Sequence, residues 1–238
     1  MNNEYHRSIE LYGDGIGRVD YVNHMGDDIT VVNSARVSFG VEKEELDGKD
    51  KKLINYLIKH RHTSTLEHNL ITFRFCVPLY VRSQHHRHRT WSYNEISRRY
   101  TDVNIKFYEP EAFRTQHKSN RQASNAEELI NPIVPQHGGF ELTASCLMRM
   151  HHKLSLKLFN NLIEAGVCRE QARGVLPQNL YTEYYGTVNL SNLLKFIDLR
   201  THEGAQWEIQ KVAEACLEIA TDLFPETVGA YRRIRSEE

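Results

Sequence analysis

"NLITFRFCVPLYV", from Asn69 to Val81, is the stretch that discloses the architecture. Ile71, Phe73, Phe75 and Val77 alternate with Thr72, Arg74 and Cys76. A period of two is the mark of a half-buried strand. Pro78 closes the alternation, since proline cannot donate to a central ladder but suits the first turn of a helix. A helix is therefore expected from about Pro78 to Arg89. Upstream, "SIELYGDGIGRVDYVNHMGDD" reads as short strands with Gly turns, and Asp28 is a candidate cap for a helix over "ITVVNSARVSF". "KDKKLINYLIKH" carries Leu53, Ile54, Leu57 and Ile58 as a helical stripe.

Downstream, Arg114 to Gly139 is polar and broken by Pro and Gly, and reads as a long surface excursion that a partner could order. "FELTASCLMRMHHKLSLKLFNNLIEAGV" is a long helix with Gly166 as its C-cap. "REQARGVL" is a short helix ending before Pro177, and "NLYTEYYGTVNL" is β-rich. Ser191 is a candidate cap for "NLLKFIDLR", and a last long helix starts near Ala205. The order is mixed rather than strictly βαβ. The expected fold is α+β, a central twisted, largely antiparallel sheet flanked by helices, as one domain over residues 1–238.

Net charge is −1 over 238 residues, so no global field draws nucleic acid or an anionic membrane. Four scattered cysteines, Cys76, Cys146, Cys168 and Cys216, include no Cys-x-x-Cys pair. Buried free thiols in a reducing cytoplasm are the expectation. The N-terminus lacks a signal-peptide core, and no apolar run reaches membrane-spanning length. A cytoplasmic protein with no membrane partner follows.

Any positive site must then be local, and "RHRTWSYNEISRRY", Arg87 to Tyr100, is the candidate. It holds four arginines and no lysine, with Ser92, Asn94 and Ser97 as neutral hydrogen-bonding groups and Glu95 as an acceptor. Guanidinium forks mixed with hydroxyls suit a phosphate or pyrophosphate. Gln84, Arg87 and His88 would share one helical face. Arg173 and Arg200 stand at other helix ends. Taken alone, the stretch also admits a solvated basic face, a single-strand groove with Trp91, Tyr93 and Tyr100 as stacking platforms, or a metal site at His85, His86 and His88. "KHRHTSTLEH" reads as a loop entering a helix at Thr65.

Arg87-His88-Arg89, seven residues, then Ser97 resembles the signature of the flavin-dependent thymidylate synthases. The resemblance continues through "KHRHTSTLEH", "ARGVLPQNLYT", "TVNL" and "LRTHEGAQWEIQ", from about Asn33 to Phe224. It implies a homotetrameric methyltransferase of dTMP biosynthesis with active sites between subunits. Such an enzyme methylates dUMP using FAD, NADPH and methylenetetrahydrofolate, with no nucleophilic cysteine, no metal and no nucleic-acid partner. Carried over residue by residue, the flavin contacts are His62, Ser64, Arg87, His88, Arg89, Glu95, Asn189, Leu190, Ser191 and Lys195. The dUMP contacts are Gln84, His85, His86, Arg87, Glu95, Ile96, Ser97, Arg98, Arg99, Arg173 and Arg200. Arg200 is the catalytic candidate, at the pyrimidine edge, where a permanent cation would stabilise an anionic ring. The chain departs from the family pattern at His85-His86, Lys195 and Gly204.

Overall fold

The computed structural model describes residues 7–136, 139 and 141–236. In chain order the strands and helices begin with β1 (Ser8–Glu10), β2 (Arg18–Met25), α1 (Asp28–Arg36), α2 (Gly48–Lys59), β3 (Leu70–Pro78), α3 (Leu79–His85) and β4 (Ser92–Glu95). Then come β5 (Phe113–Gln116), β6 (Ser124–Ile130), β7 (Ile133–Pro135), β8 (Glu141–Thr143), α4 (Ala144–Glu164) and α5 (Arg169–Ala172). The chain closes with β9 (Tyr181–Asn189), α6 (Leu190–Thr201), α7 (Trp207–Leu223) and α8 (Pro225–Ser236).

Five strands form one sheet in the order β1-β2-β3-β9-β4, and every pairing in it is antiparallel. β3 is central, as its alternation demands. Ile71, Phe73, Phe75 and Val77 are fully buried and share one core with Leu193 and Phe196 of α6, Val212 and Ile219 of α7, and Val228 of α8. The opposite face is polar. There Thr72 meets Thr187 across the β3–β9 pair at 2.9 Å, and Arg74 pairs with Glu183. One packed face and one hydrated face is the usual economy of an antiparallel sheet. A smaller core under α4 gathers Phe159, Ala172, Leu176 and Leu180.

Several local expectations are corrected. Asp27, not Asp28, caps α1, in a reciprocal capping box with Thr30. Asp28 is instead buried, and its carboxylate accepts from the backbone N–H groups of Glu226 and Thr227, 2.9 Å each. It thus caps α8, a helix that the sequence reading did not identify. Asn189, not Ser191, caps α6 through Asn192 N at 2.9 Å. "KHRHTSTLEH" closes in a 3-10 turn, Thr63–Leu66, that leads into β3 rather than a helix. The excursion is ordered as two small antiparallel pairs, β5–β6 and β7–β8. Of the expected start of the long helix, Phe140 lies outside the described residues, and α4 begins at Ala144. Gly166 does close α4. Its φ is +88°, and Val167 N reaches back to Leu162 O at 2.9 Å. Cys76 and Cys216 are buried as expected, whereas Cys146 is only half-buried and Cys168 is exposed.

Because Asp28 supplies both acceptors at the start of α8, Asp28→Ala should destabilise the protein by about 2 kcal/mol in urea unfolding. An unchanged midpoint would show that α8 does not depend on this cap.

Candidate active site

The arginine-bearing turn is built on aromatic burial. α3 stops at His85, four residues short of the expected end at Arg89, so Arg87 and Arg89 lie in a turn beyond the helix. Arg87 N still reaches Gln84 O (3.3 Å) and His88 N reaches His85 O (2.9 Å). Beneath them, Trp91 packs edge-on against His85, with 4.5 Å between ring centroids. His85 also meets Phe75 and Phe196, each at 4.7 Å. Gly186 on β9 makes room for this. A Cβ there would lie 2.9 Å from Phe75 and 3.2 Å from Trp91. The Tyr93 hydroxyl lies 2.9 Å from His85 O and 3.2 Å from His88 O, pinning the turn from below.

His85, expected at the substrate, is therefore a core residue. It is fully buried, its Nδ1 is 2.8 Å from the Tyr184 hydroxyl, and burial drives its pKa well below the usual histidine value. His86 is half-buried, with its ring 4.1 Å from that of Tyr93. The three adjacent histidines do not converge on a metal, and among the described residues no trio of His, Cys, Asp or Glu does.

His88 and Arg200 meet. Arg200 Nε donates to His88 Nε2 at 3.0 Å, and its Nη2 donates to Gln84 O at 3.2 Å. An arginine Nε–H can only donate, so His88 Nε2 must be an unprotonated acceptor. Burial first, and the Arg200 charge second, push the His88 pKa down to about 4. Arg200 thus sits on a neutral imidazole and a carbonyl, with no carboxylate among the described residues to neutralise it. Its remaining N–H groups have no partner among the described residues.

A cavity of about 530 Å³ opens between α3, the end of β4 and the start of β9. It collects Glu95, Ile96, Ser97, Arg98 and Arg173 from the expected set and adds Arg82, which sequence reading missed. Arg82 Nε lies 3.2 Å from Glu95 Oε1, which also accepts from Thr182 at 2.6 Å. Arg82 had a sequence signal: it stands two residues before Gln84 on the same short helix. The guanidinium of Arg98 donates to the carbonyls of Val103 (2.6 Å) and Asn104 (3.5 Å) and so braces a loop, while its buried Nε has no partner among the described residues. Arg99 lies outside the lining, 3.7 Å from Glu170. Arg173 is exposed at the cavity rim in a 3-10 turn, and its guanidinium has no ionic or hydrogen-bonding partner among the described residues.

A second cavity, about 320 Å³, lies between α2, α6 and α8. His62, Ser191 and Lys195 line it, over apolar Leu57, Leu66 and Leu194. Ser191 is buried, and its hydroxyl has no partner among the described residues. Apolar walls, cations and an orphaned hydroxyl fit part of a flavin nucleotide. Ser64 is exposed nearby on the 3-10 turn, Asn189 is committed to its cap, and Leu190 is fully buried. Arg87 and Arg89 stand toward the other end of α6. Ser191 and Arg200 are about 13 Å apart along that helix at 1.5 Å per residue.

The profile of the family described as "Thymidylate synthase complementing protein" matches residues 20–226. The chain belongs to the flavin-dependent thymidylate synthase family. Among its relatives, the flavin-dependent thymidylate synthase of Thermus thermophilus is 43% identical over 215 residues, covering 90% of this chain and 75% of that one. That of Thermotoga neapolitana is 38% identical over 215 residues, covering 90% of each chain. Among solved structures, the UMP/dUMP methylase PolB from Streptomyces cacaoi, bound with 5-Br dUMP, superimposes with a TM-score of 0.77. It is 32% identical, over 94% of this chain and 97% of that one. As a member of the family, this chain carries Arg87-His88-Arg89 on the turn after α3, and Ser97, just past the end of β4, in the lining of the 530 Å³ cavity.

The His88 pKa, near 4 in the fold against 6.5 ordinarily, carries a pH signature. Between those values the unfolded chain binds the proton more readily. His88's contribution to stability is therefore complete above about pH 6.5 and fades as pH falls toward 4. Stability lost across that window in urea titrations should be smaller in His88→Gln than in the unmodified protein. Equal losses would show that His88 is not held neutral.

Proposed function

We propose that the protein methylates dUMP to dTMP, with methylenetetrahydrofolate as carbon donor and NADPH as reductant of bound FAD. The observation that carries the reading is the Arg200 guanidinium, held on neutral His88 and the Gln84 carbonyl with donors to spare. A permanent cation without a carboxylate partner stabilises a uracil ring that gains negative charge as its C5–C6 bond reacts. Arg173 and Ser97 at the larger cavity bind the phosphate, and the acceptor Glu95 takes a sugar hydroxyl or base N–H. FAD would be held by His62, Ser64, Ser191 and Lys195 at one end of α6 and by Arg87, His88 and Arg89 at the other. When reduced, it supplies the hydride that completes the methyl group. Thiol chemistry has no support at the site. Burial raises the Cys76 pKa to about 11 and that of Cys216 further, and neither thiol lines either cavity.

The separation of the two flavin-contact groups fits a homotetramer in which one copy completes the site of another. An apolar stripe on α4, Met150, Leu154 and Leu158, together with Leu129 and Ile133 on β6 and β7, is exposed in the single chain and offers surface for such contacts.

The purified protein should show flavin absorption bands that shift when dUMP is added. Flavin bands indifferent to dUMP would favour a flavoprotein without methyltransferase activity. A colourless protein that does not retain added FAD, and binds oligonucleotides in a salt-dependent way, would overturn the reading. Arg200→Ala should keep FAD but lose turnover, whereas near-full turnover would remove Arg200 from the mechanism. Arg173→Ala should weaken dUMP binding by about 1.5–3 kcal/mol, the range for a charged hydrogen bond. Unchanged affinity in calorimetry would take the phosphate away from Arg173.

A further inference from the structure

A polar relay runs from the excursion into the candidate site. Arg114, on β5, forms an ion pair with Glu208 in the first turn of α7. The Arg114 guanidinium also lies 4.8 Å from the centroid of the Trp207 ring, and its Nε donates to Ser124 at 3.0 Å. Glu208 is only 3% exposed. Its second oxygen accepts from Gln206 Nε2 at 2.9 Å, and Gln206 Oε1 accepts in turn from Gln84 Nε2.

The order of donors and acceptors along this chain is forced. A carboxylate paired with a guanidinium offers only acceptors. Gln206 must therefore point its NH₂ at Glu208 and its oxygen at Gln84. Gln84 must answer with its own NH₂, which leaves its Oε1 on the far side. The polarity comes from the chemistry of the end group, not from telling oxygen from nitrogen at either amide. Gln84 is half-buried, its Oε1 has no partner among the described residues, and its backbone oxygen holds Arg200.

We infer that Gln206 and Glu208 are positioning residues that lock the Gln84 amide with its oxygen toward the ligand, so that this point of the site accepts only a hydrogen-bond donor. The inference rests on the nucleotide reading above. On dUMP the donor is the uracil imide N–H or the 3′-hydroxyl. A reversed amide would confront either group with N–H groups. Arg114 anchors the far end, which gives the excursion a role in specificity from outside both cavities lined by the expected contacts.

The test compares affinities in calorimetry on FAD-loaded protein for dUMP, its 3′-deoxy analogue and N3-methyl-dUMP. The unmodified protein should bind one of the two analogues about tenfold more weakly than dUMP, and which one identifies the donor. In Gln206→Met, which leaves the Arg114–Glu208 pair intact, that gap should shrink to about twofold or less. Glu208→Gln, whose end group can donate as well as accept, should shrink it too, and Gln206→Met stands alone if this buried variant does not fold. A variant that weakens dUMP and both analogues equally, keeping the full gap, has lost only structure and overturns the relay. So does an unmodified protein that binds all three alike. Unmodified protein that binds no dUMP at all defeats the nucleotide reading itself, and this inference with it.

Discussion

Burial of His85 and Trp91 against Phe75, Tyr184 and Phe196 is the interaction on which the candidate site depends. It ties a cationic turn to the sheet without neutralising it. A carboxylate could have held Arg87-His88-Arg89 in place, but it would have occupied the donors that an anionic ligand needs. Aromatic packing supplies the same rigidity through area removed from water and ring contacts. The cost is a buried imidazole, which burial keeps neutral, and a glycine at 186, since a side chain there would displace Trp91.

The cations of the chain divide accordingly. Arg36 and Lys43 share the buried carboxylate of Asp50 near the start of α2, and Arg7 joins Glu218 and Asp222. These cations hold elements together. Arg200 instead rests on a neutral nitrogen and a carbonyl, and Arg173 stands open at a cavity rim. A guanidinium held by uncharged acceptors keeps its full charge for a ligand, and partial burial strengthens that charge by lowering the local dielectric. α6 links the regions, with Ser191 near its start facing one cavity and Arg200 near its end clamping the turn.

Much of this was legible in the sequence. The alternation of Ile71 to Val77 placed the central strand, and Gly166 marked a helix end that its positive φ confirms. The spacing of Arg87-His88-Arg89 and Ser97 led to the family, and from there to both cavities. Capping was misread at Asp28 and Ser191 for a common reason. In each case two residues with cap-forming side chains lie close together, and the hydrogen bond goes to the one whose backbone is still extended, Asp27 and Asn189. His85 was placed at dUMP through the family resemblance, whereas the rings that bury it come from β3, β9 and α6. Arg82 was passed over because its cavity is closed by residues from β9 and the 3-10 turn at Arg173.

The sequence by itself determined the strand and helix periods, the α+β class and a family signature, because those are local patterns that backbone geometry imposes on residues a few positions apart. Only the tertiary structure decided which charges are spent and which are left open. That outcome turns on contacts across long separations: Arg200 with His88, Asp28 with Thr227, and Arg114 with Glu208. Electrostatics and hydrogen bonding act through space over a few ångströms, and no spacing along the chain encodes which distant partner arrives.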